Sequence, residues 1–398
     1  MSYQLLPGKS LRFLGGYMKT ERNCCSLRRF FLKKSMQIKT CYTATRKLWL
    51  TILVILAILS GLHLGMRSSM RWTDPYRLRH LIQIKDVREV IDDSTVEWDV
   101  LEADDECTEE SIDEDELSSY GKPIYGKNNT VLYLSIPKTG TRTVVWALER
   151  LREIHHFGNL VPIDYLIENN ITSEVNKYMT SKIAESEDGA VLHGHYRYID
   201  LSRSPKKLIL MSMIRDPIDR FESHFYFLRH GDVTSDKEKL LKLFDRPDSK
   251  LALPNETLDD CVEKNRRDCT HDLFRHMYIT SFCGYAPGCS ESPSFAFHEA
   301  KRNVDKFLVI GVTEEYDLSM AVFEKLLPET FGGVAKIYEE GKSRPMTLFK
   351  TNYKKHPSDK TYSILKQRMK YEYQFYYYVK KRLHRVARRL GIWNCSDV

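Results

Sequence analysis

Residues 48–66, LWLTILVILAILSGLHLGM, are the longest stretch of the chain without an acid, a lysine or an arginine. As a helix these residues would rise about 28 Å, close to the thickness of a bilayer core. A buried helix of a soluble protein would be expected to keep a polar face, and this one has none. Its flanks orient it. Eleven Lys/Arg precede it against one acid, Glu21, and Arg46 and Lys47 abut it. The positive-inside bias predicts a cytoplasmic N-terminus and a long C-terminal part across the membrane. A cleaved signal peptide would have a far shorter charged region and a shorter apolar core. The expected order is a basic cytoplasmic tail (1–47), a type II signal-anchor helix (48–66) and a lumenal remainder.

The net charge of +7 over 398 residues conceals strong segregation. Residues 1–47 carry +10, residues 48–85 carry +4, residues 86–116 carry −15 and the remainder carries +8. The acidic run from Asp86 to Glu116 holds too much like charge to fold alone, so residues 67–120 read as a solvated stem. With 42% hydrophobic and 29% charged residues, the chain is not collagen-like, low-complexity or wholly disordered. A single apolar run also excludes a multi-span membrane protein. Four N-glycosylation sequons, at Asn128, Asn170, Asn255 and Asn394, all lie beyond the apolar run. Cys261, Cys269, Cys283 and Cys289 cluster beyond it too. In an oxidising lumen the simplest pairing is Cys261–Cys269 and Cys283–Cys289, since neither a CxxC nor suitably spaced His argues for zinc. Cys107 and Cys395 stay open as partners of each other or of another chain.

From residue 121 onward the pattern alternates strand and helix. Thr130–Ile136, Ala190–His193, Leu208–Ile214 and Phe307–Val312 are short apolar runs with strand character. Helical spacing follows at Val144–Ile154, from Asp216-Pro217 and at Leu318–Leu327, and Asp359–Leu390 reads as one long helix. Such alternation predicts an α/β fold, a parallel sheet with flanking helices.

Three motifs carry chemistry. Ile136-Pro-Lys-Thr-Gly-Thr-Arg-Thr143 sits between a strand and a helix. Backbone N–H groups there converge on an anion, Lys138 adds a point charge, and Thr139, Thr141 and Thr143 add hydroxyls. This is phosphate-loop logic without a Walker A, in which Lys follows the second Gly. An ordinary polar turn would explain the glycine but not the lysine with three threonines. The second motif is Ile214-Arg-Asp-Pro-Ile-Asp-Arg-Phe-Glu-Ser223. Asp216 suits an N-cap and Pro217 the first helical position, while Arg215 and Ser223 could hold a second phosphate. For this stretch alone an Arg–Asp pair is the stronger reading. The third is His193-Gly-His195 at a strand end, where alternate residues share a face and one imidazole could be a general base. A metal pair lacks an evident third ligand, and two packing histidines remain an alternative.

Together these motifs resemble the uronyl/heparan sulfate 2-O-sulfotransferase family, Golgi enzymes that use PAPS (3′-phosphoadenosine 5′-phosphosulfate). FYFLRHGD (225–232), DCVEKNRRDC (260–269), FCGYAPGC (282–289), FLVIGVTEE (307–315) and RMKYEYQFYYYVK (368–380) extend the resemblance over about residues 125–390. GTRTVV (140–145) and the C-terminal helix look more like the uronyl branch and its insect relative. The resemblance implies a P-loop-NTPase-like sulfotransferase domain over 121–398. It implies that Lys138, Thr139, Gly140, Thr141 and Arg142 surround the 5′-phosphosulfate, and that Arg215 and Ser223 bind the 3′-phosphate. Tyr338, Thr351 and Lys354 match positions lining the nucleotide, His195 the catalytic base and His193 its neighbour. It further implies a glycosaminoglycan acceptor, the Golgi membrane, a homotrimer, and neither a metal nor nucleic acid. The sequence departs from the family at Ser135, where the heparan branch has an arginine that engages substrate, and at His224, where the second motif carries tyrosine.

Two other classes compete. A P-loop-like kinase lacks its Walker A and magnesium-holding pattern here. A non-catalytic lumenal binder of sulfated glycans would suit the basic body but leave both phosphate motifs idle. The topology has its own test: a C-terminal tag should resist protease on intact microsomes and become digestible once detergent is added. A tag digested without detergent contradicts the type II arrangement.

Overall fold

Thr130–Leu134 (β1), Val191–Gly194 (β3), Leu208–Ile214 (β4) and Phe307–Val312 (β5) are short aliphatic runs, and β1 and β5 are buried along their whole length. Strands covered on both faces are what a parallel sheet between helical layers requires. In the computed structural model they form one five-stranded parallel sheet of order β2-β3-β1-β4-β5, with Leu160–Ile163 as β2. The structure describes residues 122–164, 166–167, 172–236, 238, 240, 250–270, 276–342 and 346–393. The expected tail (1–47), signal-anchor (48–66) and stem (67–120), the sequons at Asn170 and Asn394, and Cys107 and Cys395 lie outside the described residues. Among the described residues no helix is long and apolar enough to cross a membrane.

β1 is central, with β3 on one side and β4 on the other. The chain order reverses across it, and in such sheets ligands bind beyond the carboxyl ends of the strands at the reversal. All three motifs lie at those ends. β2 is absent from the sequence reading for a physical reason: it has four residues, is only half-buried and holds Pro162, which edge strands tolerate.

The helices cover the sheet. α1 (Thr141–His155) buries Val144, Ala147, Leu148 and Leu151, a single stripe at helical spacing. α2 (Thr172–Glu185) follows β2. α3 (Pro217–His230) starts as expected, with Asp216 as N-cap accepting the Asp219 N–H and Pro217 in the first turn. α4 (Met277–Cys283), α5 (Pro293–Val304), α6 (Tyr316–Leu326) and α7 (Val334–Gly341) follow before the C-terminal pair, with shorter helices at Leu258–Glu263, Arg267–Thr270, Gly288–Glu291 and Pro328–Phe331. Among the described residues the disulfides are Cys261–Cys269 and Cys283–Cys289, the pairing expected from sequence.

The C-terminal stretch corrects one expectation. It is two helices, α8 (Asp359–Arg368) and α9 (Lys370–Arg389), parted at Met369, whose backbone leaves the helical region. Met369 is fully buried with Ile218, Phe221, Leu258, Leu365 and Tyr373 in a small second core. The break lets α8 pack against α3 while α9 packs against β5, so tertiary burial overrides a continuous helical pattern. Glu372 of α9 is buried and accepts the N–H groups of Tyr278 (3.0 Å) and Ile279 (2.8 Å), fastening α9 to the start of α4.

Gly194 explains the glycine between the two histidines. A Cβ there would stand 2.5 Å from the Ile163 carbonyl oxygen and 2.6 Å from the Ile163 Cβ. Gly194→Ala must therefore push β2 off β3, costing about 1–3 kcal/mol as overpacking does. Chemical denaturation measures this; an unchanged midpoint contradicts the close approach.

Candidate active site

β1 runs into the turn Ser135–Gly140, which opens α1. Lys138 (φ 71°) and Gly140 (φ 79°) are both left-handed, and for a lysine that conformation is costly enough to need support. Support comes from two sides. The Thr139 hydroxyl donates to the Ile136 carbonyl at 2.9 Å, so it braces the turn and is not a donor held ready for a ligand. The Tyr316 hydroxyl donates to the Gly140 carbonyl at 3.4 Å, and a Cβ on Gly140 would come within 3.0 Å of the Tyr316 ring. Tyr338 stacks on Tyr316 with centroids 4.3 Å apart, which brings that expected nucleotide residue to the turn. The Thr141 hydroxyl oxygen is buried without a hydrogen-bond partner. At α1's start the helical N–H groups also lack partners within the helix.

Four cations surround this turn. Burial first, then Arg142, Arg215 and Lys354, push the Lys138 amine down to about 7. Its Nζ rests 3.9 Å above the Phe227 ring of α3. Among the described residues no carboxylate pairs with it. The other three cations do have acids. Arg142 pairs with Asp232, donates to Thr234 at 2.8 Å and lies over the Phe349 ring at 4.8 Å. Arg215 meets Asp219 at 3.1 Å and Glu314 at 3.8 Å, the Arg–Asp pair that its local sequence favours. Lys354 approaches Glu222 at 4.0 Å, and His356 approaches the other oxygen of Glu222 at 3.0 Å.

The second motif is held from behind. The Arg215 N–H donates to the Tyr278 hydroxyl (3.0 Å), which donates back to the Arg215 carbonyl (2.7 Å). The Ser223 and Thr351 hydroxyls lie 3.1 Å apart, and Thr351 also contacts the Ser223 carbonyl at 3.2 Å. Ser223 and Thr351, far apart in sequence, thus sit together beside Lys354.

His195 follows β3, and its Nδ1 lies 2.8 Å from the Ser135 carbonyl. A carbonyl only accepts, so Nδ1 carries the proton and the lone pair of the neutral ring is on Nε2. Burial, opposed by the Ser135 bond and aided by Lys138, holds His195 below its usual pKa. His193 pairs in register with Tyr133 and Pro162. Burial and the neighbouring His195 push it down to about 4. Both imidazoles are neutral near pH 7, and each feels the site's charges.

All the residues expected to form the site are therefore gathered at one end of the sheet. Phe227, Tyr278, Glu314 and Asp232 were not foreseen. Phe227 and Asp232 belong to FYFLRHGD and Glu314 to FLVIGVTEE, which does not reveal what each side chain touches, and Tyr278 lies in none of the quoted segments. Asn128 and Asn255 are both exposed.

Residues 124–379 match the model of the sulfotransferase family. Over 265 residues the chain is 32% identical to uronyl 2-sulfotransferase of Homo sapiens, an alignment covering 66% of this chain and 64% of that protein. Heparan sulfate 2-O-sulfotransferase 1 of Xenopus laevis is 36% identical over 190 residues, 46% of this chain and 50% of that protein. The chain thus matches less than two thirds of the length of either relative. A crystal structure of mouse sulfotransferase SULT7A1 complexed with PAP is 14% identical over 65% of this chain and 90% of its own, with a TM-score of 0.22, a likeness too weak to argue from. The family match spans most of the described sheet and all three motifs, and the chain belongs to the sulfotransferase family.

Proposed function

We propose that this chain transfers a sulfo group from PAPS to the 2-hydroxyl of a uronic acid residue in a glycosaminoglycan, from a Golgi membrane anchor of type II topology. The observation that carries the reading is one backbone segment that holds both reacting groups. Ser135 fixes the proton of His195 on Nδ1, and three residues on stands Lys138, half-buried and without a carboxylate among the described residues. A proton acceptor and an uncompensated cation are thereby set side by side. The relatives named for uronyl and heparan sulfate 2-sulfation support the acceptor class.

The residues present fit PAPS. Lys138, the N–H groups at the start of α1 and the buried Thr141 hydroxyl suit the 5′-phosphosulfate. Arg215, Ser223, Thr351 and Lys354 suit the 3′-phosphate, with Tyr338 beside the turn. When bound, PAPS supplies a sulfo group on a phosphate leaving oxygen. His195 takes the acceptor hydroxyl proton on Nε2 as that oxygen attacks sulfur. Lys138 neutralises charge gathering on the leaving oxygen, the role in which fixed cations contribute most. Burial, and after it the crowded cations, lower the pKa of Lys138; a bound anion offsets the repulsion and raises it again. The +8 body attracts a polyanionic acceptor, and such binding weakens with salt. A homotrimer and glycans on the exposed Asn128 and Asn255 belong to the same reading.

Three expectations follow. Lys138→Ala should fold and lose about 10²–10³ in rate, as removal of a single transition-state donor does; wild-type turnover contradicts the role. His195→Ala should lose roughly 10²-fold or more in PAPS-dependent transfer while still binding 3′,5′-ADP. Parallel loss of both properties would point to packing instead. The pH profile has signs that can be worked out. His195 must be neutral, so the rate falls as pH drops through a pKa below its usual 6.5. Lys138 must be charged, so kcat/KM for PAPS falls as pH rises through about 7, while kcat at saturation persists to higher pH. An acid limb above 6.5, or no alkaline limb in kcat/KM, is inconsistent with these assignments. Competition by 3′,5′-ADP against ATP separates sulfotransferase from kinase, and transfer to desulfated heparan, dermatan and chondroitin chains separates enzyme from glycan binder.

A further inference from the structure

His224 stands in α3 between Ser223 and Phe225, and the mechanism above does not use it. Its helical neighbour three residues on is Phe227, whose ring touches Lys138 Nζ at 3.9 Å. Residues three apart share a helix face, so His224 lies on the face of α3 that fronts the turn after β1. Its ring is close enough to Lys138 and His195 for both to act on it electrostatically, as do Arg220 and Arg229. Burial, followed by Arg220 and Lys138, pushes it down to about 3, so it is neutral near pH 7.

The residue keeps partial exposure, yet its Nδ1 is buried and meets no hydrogen-bond partner. A buried N–H without an acceptor costs more than a bare nitrogen in a ring that can place its proton elsewhere. The neutral ring therefore carries its proton on Nε2 and is an uncharged donor. This differs from His195, whose carbonyl partner fixes the opposite tautomer. Two neutral imidazoles of opposite tautomer, one accepting and one donating, thus share the electrostatic field of the same lysine.

We propose that His224 is a further hydrogen-bond donor of this site, offering Nε2–H to an oxygen of the sulfo group as it passes from donor to acceptor. The inference rests on the sulfotransfer reading given above. A base belongs at the acceptor oxygen and a lysine at the leaving oxygen, so the group within reach of both is the sulfuryl group. Its oxygens are anionic and can only accept. An uncharged donor serves them without adding a fifth cation to a crowded site.

The test uses the full-length chain in detergent, PAPS, the three desulfated polysaccharides and 3′,5′-ADP as a binding probe. His224→Phe fills the space without a donor and should lower kcat roughly 10²-fold, with 3′,5′-ADP affinity unchanged. His224→Gln, which retains an N–H, should recover much of that loss. Wild-type kcat in His224→Phe overturns the proposal. So does equal loss of transfer and 3′,5′-ADP affinity in both variants, which marks a packing role. Should the Phe variant not fold, His224→Met replaces it as the variant without a donor, and equal kcat for Met and Gln is again fatal. Wild-type chain that transfers to none of the acceptors removes the sulfotransfer reading and the donor role with it. An active wild type with an equally active Phe variant removes the donor role alone.

Discussion

Positive charge withheld from water at the carboxyl ends of β1 and β4 is the constraint around which this molecule is arranged. Lys138, Arg142, Arg215 and Lys354 come from three distant segments; burial first, and then the other three cations, disfavour charge on Lys138. The fold tolerates the crowd by giving three of the four an acid: Asp232, Asp219 with Glu314, and Glu222. The one left without an acid occupies a left-handed residue in the turn between strand and helix. A group in that state is favoured to meet an anion, because burial has already removed much of its water. Positive charge without a matching acid is therefore concentrated on Lys138 among the described residues.

The C-terminal helix explains the tyrosines that look excessive in sequence. Tyr373 donates to Asp216 (3.2 Å), the N-cap of α3, and Tyr376 donates to Glu314 (3.2 Å), the partner of Arg215. Further along, Lys380 and His384 both meet Glu315. With Glu372 capping α4, one face of α9 holds the acids and helix ends behind the anion site. The tyrosine rings pack while their hydroxyls reach polar partners, which suits a helix that must be both core and scaffold.

How much of this was legible in the sequence depended on whether a signal was local. β4 and β5 were readable to the residue because runs of seven and six residues, apolar but for Ser212, leave no alternative face. The Asp216-Pro217 start of α3 was readable because cap chemistry is contained in two residues. β2 was not, since four half-buried residues around a proline carry no periodicity. The division at Met369 was not, because its cause is a core assembled from residues 218 to 373. The same division holds at the site. The motifs identified which cations and imidazoles would matter, and the local Asp219 partner of Arg215 with them, whereas the other acids that restrain them lie about 90 residues away or more in chain order, as Arg142–Asp232 and Arg215–Glu314 show. Thr139 is the instructive case within a motif: its hydroxyl serves the turn's own backbone.

The edge strand has a consequence for how this protein meets copies of itself. β2 ends the sheet on one side with four residues, one of them lacking an N–H. An edge that short, interrupted by Pro162, is a poor template for a sixth strand from another chain. A parallel sheet that resists extension there is protected from ribbon-like aggregation at that border. Assembly, where it occurs, is steered toward helices and loops, which leaves the strand ends clear.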